Sequence, residues 1–368
     1  MMAAAMGVAR RACDALLGRG SHAVTVPPMD GALKPNRLLD VARVRLEAEQ
    51  PDNLLLSGGD LLFSSGAQVF GLRGHAAQAE PVHRFDSPVS ASAVLADGRP
   101  AFALESGEVC LFERGRLAET LAAFGGKRFQ CITALLPRAD GGFVVAEGSA
   151  TSRPGDWRRD LLERRRSGSV WMVAAGGGSA ERLAAGLAFP SGLAEAPGGG
   201  IAVCEAWAHR IVALGEGGRR EELLSDLPGY PWRMAAGGRG TVWLTVAAPR
   251  SQLVEFVLRE TEFRRRMMAE IDPAYWVAPA LSSGRDFREP MQGGAIKSMG
   301  ILKPWAPTRS YGLLVQLDAR FQPVRSFHSR ADGRHHGITS VVARGDSVLA
   351  ASRGGGRILE IDAGQEGP

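Results

Sequence analysis

Few side chains in this sequence are spaced for chemistry, and the most reactive pair is His335-His336, set immediately before the apolar run Gly337-Ile338-Thr339-Ser340-Val341-Val342. An imidazole at the head of a strand can reach a channel mouth and move a proton near neutral pH. The competing reading is a solvent-exposed loop pair. His209, between Trp207 and the run from Arg210 to Leu214, reads as structural. Cys13, Cys110, Cys131 and Cys204 are far apart and form no C-x-x-C; the last three sit in apolar runs, where a buried free thiol is the default. That favours a reducing, cytoplasmic setting. No G-x-S-x-G, H-E-x-x-H or phosphate loop occurs; Gly126-Lys127 is followed by Arg128, without the Ser or Thr that such a loop uses for Mg²⁺.

The elements that must position any site recur. From Gly186 to Arg250 one pattern occurs twice: a Pro-containing turn, a short apolar run, a Gly-rich turn, then a β-prone strand such as Thr241-Val242-Trp243-Leu244-Thr245-Val246. Four short strands separated by turns make one small sheet, and repetition of that unit marks a propeller or solenoid. Further units begin near Asp52, Pro88, Cys131 and Gly337, six in all. Gly176-Gly177-Gly178 and Gly354-Gly355-Gly356 are hairpin turns in this scheme. The last unit has three clear strands, so the segment before Asp52 is expected to supply its fourth and close the ring, which leaves no strand edge open to another chain. The fold class is therefore all-β, a six-bladed β-propeller over residues 31–368 behind a leader of residues 1–30. Insertions at about 148–166 and 251–308 fall in the third and fifth blades, with helices expected from Trp157 to Arg166 and from Leu253 to Ala269.

Composition agrees with turn-rich β structure: 47 Gly and 21 Pro among 368 residues. The formal charge of +5 comes from scattered arginines, densest at Arg158-Arg159, Arg164-Arg165-Arg166 and Arg264-Arg265-Arg266. These runs read as solvated faces, and without aromatic interleaving or a recognised motif no nucleic-acid partner is expected. No apolar segment approaches the ~20 residues that span a bilayer. The leader is expected to be disordered or packed; the alternative is a short amphipathic helix from Met6 to Leu17, with Arg10, Arg11 and Arg19 nearby, giving residues 6–20 a weak contact with a membrane surface.

Several of these stretches together resemble a known family. Ala146-Glu147-Gly148-Ser149, Asp156-Trp157-Arg158-Arg159-Asp160-Leu161-Leu162-Glu163, Ser167-Gly168-Ser169-Val170, Gly186-Leu187-Ala188-Phe189-Pro190-Ser191-Gly192 and Leu227-Pro228-Gly229-Tyr230-Pro231 look like the strictosidine synthase-like branch of the SMP-30/gluconolactonase and paraoxonase-related propellers. The resemblance spans about residues 51–361. It implies an axial site at the entrance of the inner strands, where hydrolytic members hold Ca²⁺ and cleave lactones or esters. Carried over by position, the metal-binding places fall on Asp52, Thr133, Ser191 and Trp232-Arg233. Only Asp52 keeps a strong ligand, and a guanidinium repels a cation. No metal or other cofactor is therefore expected. The acid/base Glu of strictosidine synthase itself falls at about Thr339, with no Glu from Arg334 to Ser340, which argues against Pictet–Spengler chemistry.

The resulting expectation is a degenerate metal site in which Arg233 points into the axial channel and pairs with Asp52. Asp52, Thr133, Ser191, Trp232, Arg233 and Thr339 would bind a small molecule under the 251–308 insertion, Trp232 forming a stacking wall. The alternative is an active hydrolase or lyase, with Arg233 stabilising an oxyanion and His335 or His336 moving the proton. A protein-interaction scaffold using the rim loops is the third reading.

Overall fold

The computed structural model describes residues 26–362, except 75, 285, 291–296, 299–300 and 303–308. Cys13 and the helix expected from Met6 to Leu17 lie outside the described residues.

Six four-stranded antiparallel sheets form the ring. Their inner strands are Pro51–Ser57, Val89–Val94, Ile132–Pro137, Pro190–Glu195, Gly229–Ala236 and Ile338–Arg344, which define blades 1 to 6 in order. Each inner strand touches the inner strands of the blades on either side. The first three residues of every inner strand are buried, and exposure grows toward the far end. The N-terminal strand Arg43–Glu47 pairs with Arg357–Asp362 and becomes the outermost strand of blade 6, so both ends of the ring are joined as the sequence predicts.

Blades adhere through apolar layers sandwiched between neighbours. Leu55 and Val69 of blade 1 pack with Phe102, Leu104 and Phe112 of blade 2, and Leu314 and Phe327 of blade 5 pack with Val341 and Leu359 of blade 6. Each such side chain contributes about 1.5–3 kcal/mol when fully buried.

The insertions cap one end of the ring for a topological reason. In blades 3 and 5 the second strand returns to the face where the inner strand began, placing Glu147 opposite Ile132 and Pro249 opposite Gly229. The connection to the third strand therefore emerges on that face. Helix Trp157–Leu162 is shorter than expected because Arg164 adopts a left-handed φ of 56°, which stops a helix. The helix expected from Leu253 to Ala269 is instead two, Gln252–Val257 and Thr261–Glu270. Breaking it lets Val254, Val257 and Met267 meet Leu161, Leu162 and Trp276 in one core. Arg264 is consequently buried, its guanidinium donating to the Leu162 carbonyl, so the two insertions form one lid.

Candidate functional site

One kind of backbone irregularity recurs in all six blades and builds the site, preceded in blade 5 by an opposite slip between Gly229 and Pro231. Near its start every inner strand carries one residue more than the strand it pairs with: the register slips between Asp52 and Leu55, Val89 and Ala91, Ile132 and Ala134, Pro190 and Gly192, Pro231 and Met234, and Ile338 and Ser340. Such bulges re-aim a side chain out of the pleat. The residues inside them are Asn53-Leu54, Ser90, Thr133, Ser191, Trp232-Arg233 and Thr339, and Asp52 directly precedes the first.

Most of the small polar groups in these bulges tie blade to blade. Thr133 Oγ1 donates to the Pro190 carbonyl (2.5 Å) and Ser191 Oγ to the Pro231 carbonyl (2.9 Å). Asn53 Nδ2 donates to the Val89 carbonyl (3.1 Å). Each bond ends on the carbonyl just before the next blade's bulge, so these donors are committed to closing the ring. Thr339 ends instead on the Asp52 carboxylate, 2.9 Å from Oδ1.

Asp52 is the centre of the arrangement. Arg233 Nη1 lies 2.8 Å from its Oδ1 and Arg353 Nη1 lies 3.1 Å from its Oδ2. Burial alone would push this carboxyl up; Arg233, Arg353, the Asn53 N–H and the Thr339 hydroxyl outweigh it and hold the group below the usual carboxylate range. Arg233 also donates to the Ser90 carbonyl of blade 2, so its side chain crosses the axis from blade 5. The pairing is not the two parallel bonds of a single guanidinium. One carboxylate is shared by two cations.

Above Asp52 lies a cavity of about 90 Å³, bounded by Arg233, Arg353, Glu105, Trp157, Phe189 and Trp232. Phe189 stacks on Trp207 (4.4 Å between centroids) and on Trp232 (5.8 Å), and Trp157 meets Trp232 edge-on at 5.9 Å. A second space of about 290 Å³ under the lid shares Gln50, Trp157, Leu281 and Arg353 with the first. Burial raises the Glu105 carboxyl above its ordinary value, against the opposing pull of Arg353.

Of the residues singled out in the sequence, Asp52, Thr133, Trp232, Arg233 and Thr339 line the inner cavity. Ser191 does not; it lies buried beneath, bonded to Pro231. The two histidines are corrected on both readings. They are neither exposed nor at the cavity but buried where blades 5 and 6 meet, because the turn at Gly337 folds them under residues 310–312. His336 Nδ1 is 2.8 Å from Ser310 Oγ and its Nε2 2.7 Å from the Arg330 carbonyl. Burial lowers the pKa of both rings. Glu147 and His209 are structural: Glu147 accepts from Lys127, Gln130 N–H and Ser169, and His209 contacts Glu255 and the Gly229 carbonyl.

Sequence reasoning missed Ser90, Glu105, Trp157 and Arg353. Ser90 had a legible signal, because it holds in blade 2 the place Thr133 holds in blade 3. Arg353 follows the second strand of blade 6 in a Gly-rich turn, and nothing local separates it from the other arginines.

The donors around Asp52 are those of an ion pair. A divalent cation there would meet two guanidiniums, so the set does not fit Ca²⁺. Among the described residues no three His, Cys, Asp or Glu gather in a metal-binding group. No helix among them is long and apolar enough to cross a membrane.

No protein-family model matches the sequence, and no curated protein does. The fold is nevertheless shared with solved structures of the SMP-30/gluconolactonase/regucalcin type. A gluconolactonase from Xanthomonas campestris superposes with TM-score 0.57 at 14% identity, covering 92% of this chain and 95% of that one. The calcium-binding protein regucalcin from Agrobacterium tumefaciens gives 0.53 at 12%, covering 89% and 96%. A luciferin-regenerating enzyme gives 0.53 at 12%, covering 88% and 95%. At these identities the likeness is one of fold.

Proposed function

We propose that this protein is a small-molecule-binding propeller whose ligand enters under the lid at the axial mouth, with the Arg233 guanidinium standing in the seat that hydrolytic propellers of the resembled family give to calcium. One observation carries the reading: Asp52 is held by Arg233 and Arg353 at the base of a cavity walled by Trp157, Phe189 and Trp232. A carboxylate already neutralised by two side-chain cations has no use for a metal, and aromatic faces beside fixed charges suit a ligand with a flat body and a polar end. The strictosidine synthase-like assignment rests on sequence motifs alone and adds nothing to this reading. Thermal melting with about millimolar Ca²⁺ and with chelator tests it by linkage. Coincident melting curves are expected; a rise of several degrees with Ca²⁺ restores a metal-dependent hydrolase.

A lactonase-type hydrolase is the second reading, and the fold shared with a gluconolactonase favours it. Arg233 and Arg353 would stabilise the oxyanion formed as water attacks the ring carbonyl. Because both imidazoles are elsewhere, Glu105 is the group at the cavity able to move the proton. Lactone hydrolysis above the spontaneous rate in chelator, abolished by Glu105→Gln, supports this reading. Equal rates with and without the protein reject it.

A further inference from the structure

We infer that the ligand of the axial mouth is a small organic anion, a carboxylic or sulfonic acid with a flat body, and that Arg158 and Arg353 recognise its charged end. The inference rests on the small-molecule reading above and names the class of molecule.

Charge balance is the first ground. Among the described residues that line the two adjoining spaces, four guanidiniums, those of Arg158, Arg233, Arg309 and Arg353, face three carboxylates, Asp52, Glu105 and Glu289. Among these lining groups the surplus stays positive even with every carboxylate ionised, and Asp272, outside the lining, is the one carboxylate that acts on Arg158. The pairing is also unequal. Asp52 occupies Arg233 and one nitrogen of Arg353, and Glu289 lies 3.7 Å from Arg309. Arg158 forms no salt bridge or hydrogen bond among the described residues. It faces the outer space half-buried, and its own charge opposes that of Arg309. Burial lowers the pKa of both guanidiniums and outweighs the opposing pull of Asp272 on Arg158 and of Glu289 on Arg309, a penalty that a bound anion would relieve.

Unused donors are the second ground. The Nε groups of Arg233 and Arg353 and the Ser90 hydroxyl are buried without partners. Two of these three can only donate, so the mouth asks for an acceptor. Shape is the third. The outer space of about 290 Å³ is lined by both Arg158 and Arg353 and has room for a carboxylate or sulfonate head between them. Trp157 belongs to both spaces and would carry a ring lying between them. Glu105 sets the pH response. The charges that act on it are those of Arg353, Asp156 and Arg153, beside the Gly155 N–H, and among the described residues no imidazole lines either space. Once protonated it adds a further unit to the positive surplus, so anion affinity is highest at low pH and falls as pH rises through its raised pKa.

Three probes of one ring size test this on the full chain: benzenesulfonate, neutral benzenesulfonamide and cationic benzylamine, titrated by calorimetry with tryptophan fluorescence alongside. The sulfonate stays ionised throughout, so any pH dependence belongs to the protein. Benzenesulfonate is expected to bind at least about tenfold tighter than the other two, with affinity weakened by salt. Arg158→Gln and Arg353→Gln are each expected to lose about tenfold, or about 1.4 kcal/mol, for the sulfonate alone. Arg158 makes no hydrogen bond or salt bridge among the described residues, so its variant remains informative if the other destabilises. Glu105→Gln is expected to remove the pH dependence. Equal affinity for the three probes, or preference for benzylamine, overturns the anion inference and leaves the binding reading standing. Binding by none of them overturns both.

Discussion

Asp52 and Arg233 are 181 positions apart in the chain and meet at 2.8 Å, one from blade 1 and the other from blade 5, with blade 6 between them. Both side chains are largely withdrawn from solvent, 7% and 15% exposed. Removing one partner of such a pair strands the other, whereas removing both does not. Asp52→Asn leaves Arg233 without its counter-charge and is expected to cost about 3–5 kcal/mol in urea unfolding. The double replacement Asp52→Leu with Arg233→Met is expected to recover most of that loss. Arg353, at 37% exposure, can turn to solvent, and Arg353→Gln should cost under about 1 kcal/mol. A double variant no more stable than Asp52→Asn would show that the carboxylate acts through Thr339 and Asn53 rather than through the guanidinium.

The sequence disclosed the ring more readily than the site because the two are encoded differently. Period-two runs between Gly-rich turns name a blade locally, and the missing strand of blade 6 followed from counting. Arg233 was reachable only through the family resemblance, which carries a metal-binding place onto the two residues after Leu227-Pro228-Gly229-Tyr230-Pro231. Arg353 and Glu105 were not, since each reaches the axis from the loop after a second strand, where no periodicity constrains it. Ser191 shows the opposite error. Its position in the repeat is that of a ligand-facing residue, yet its hydroxyl is turned to the neighbouring backbone.

Gly192 tests how tightly that backbone is held. A Cβ on it would lie 2.2 Å from the Trp232 carbonyl oxygen and 2.9 Å from Arg233 Cα, both of blade 5. Backbone cannot swing aside as a side-chain tip can, so Gly192→Ala must push blade 4 from the bulge that presents Trp232 and Arg233. Overpacking of this kind costs about 1–3 kcal/mol. A lower melting temperature with altered tryptophan emission is expected. Unchanged emission would mean that the bulge absorbs the methyl group without moving Trp232.

Closure of the ring makes a separate claim. Shortening the chain to begin at residue 49 deletes Arg43–Glu47 and bares the strand Arg357–Asp362. An unpaired strand edge is a template for association. Loss of cooperative unfolding and concentration-dependent aggregation, followed by light scattering, are expected. A monomer that melts at the original temperature would show that blade 6 stands on three strands.

His328 sets the response to mild acid. The Ser326 hydroxyl donates to the Ala32 carbonyl, so Nε2 of His328 must be the protonated nitrogen facing Ser326 Oγ, and Nδ1 accepts from the Tyr311 hydroxyl at 3.1 Å. Burial, with Arg330 adding to it, pulls the ring down to about 4. In the unfolded chain the same ring titrates near about 6.5. Between those values the unfolded state binds a proton that the folded state refuses, so stability falls as pH drops, by up to about 1.4 kcal/mol per unit from this one group. His209, His335 and His336 are shifted in the same direction and steepen the slope. Asp52 works in a different window: its folded pKa is depressed, so the stability it lends is intact above the ordinary carboxylate value and fades only as pH falls further. Urea unfolding at several values from about pH 7 to pH 5 should therefore show declining stability, and His328→Gln should flatten the decline whatever it does to the absolute value. An unchanged slope in that variant would mean that His328 takes up its proton without leaving the folded state.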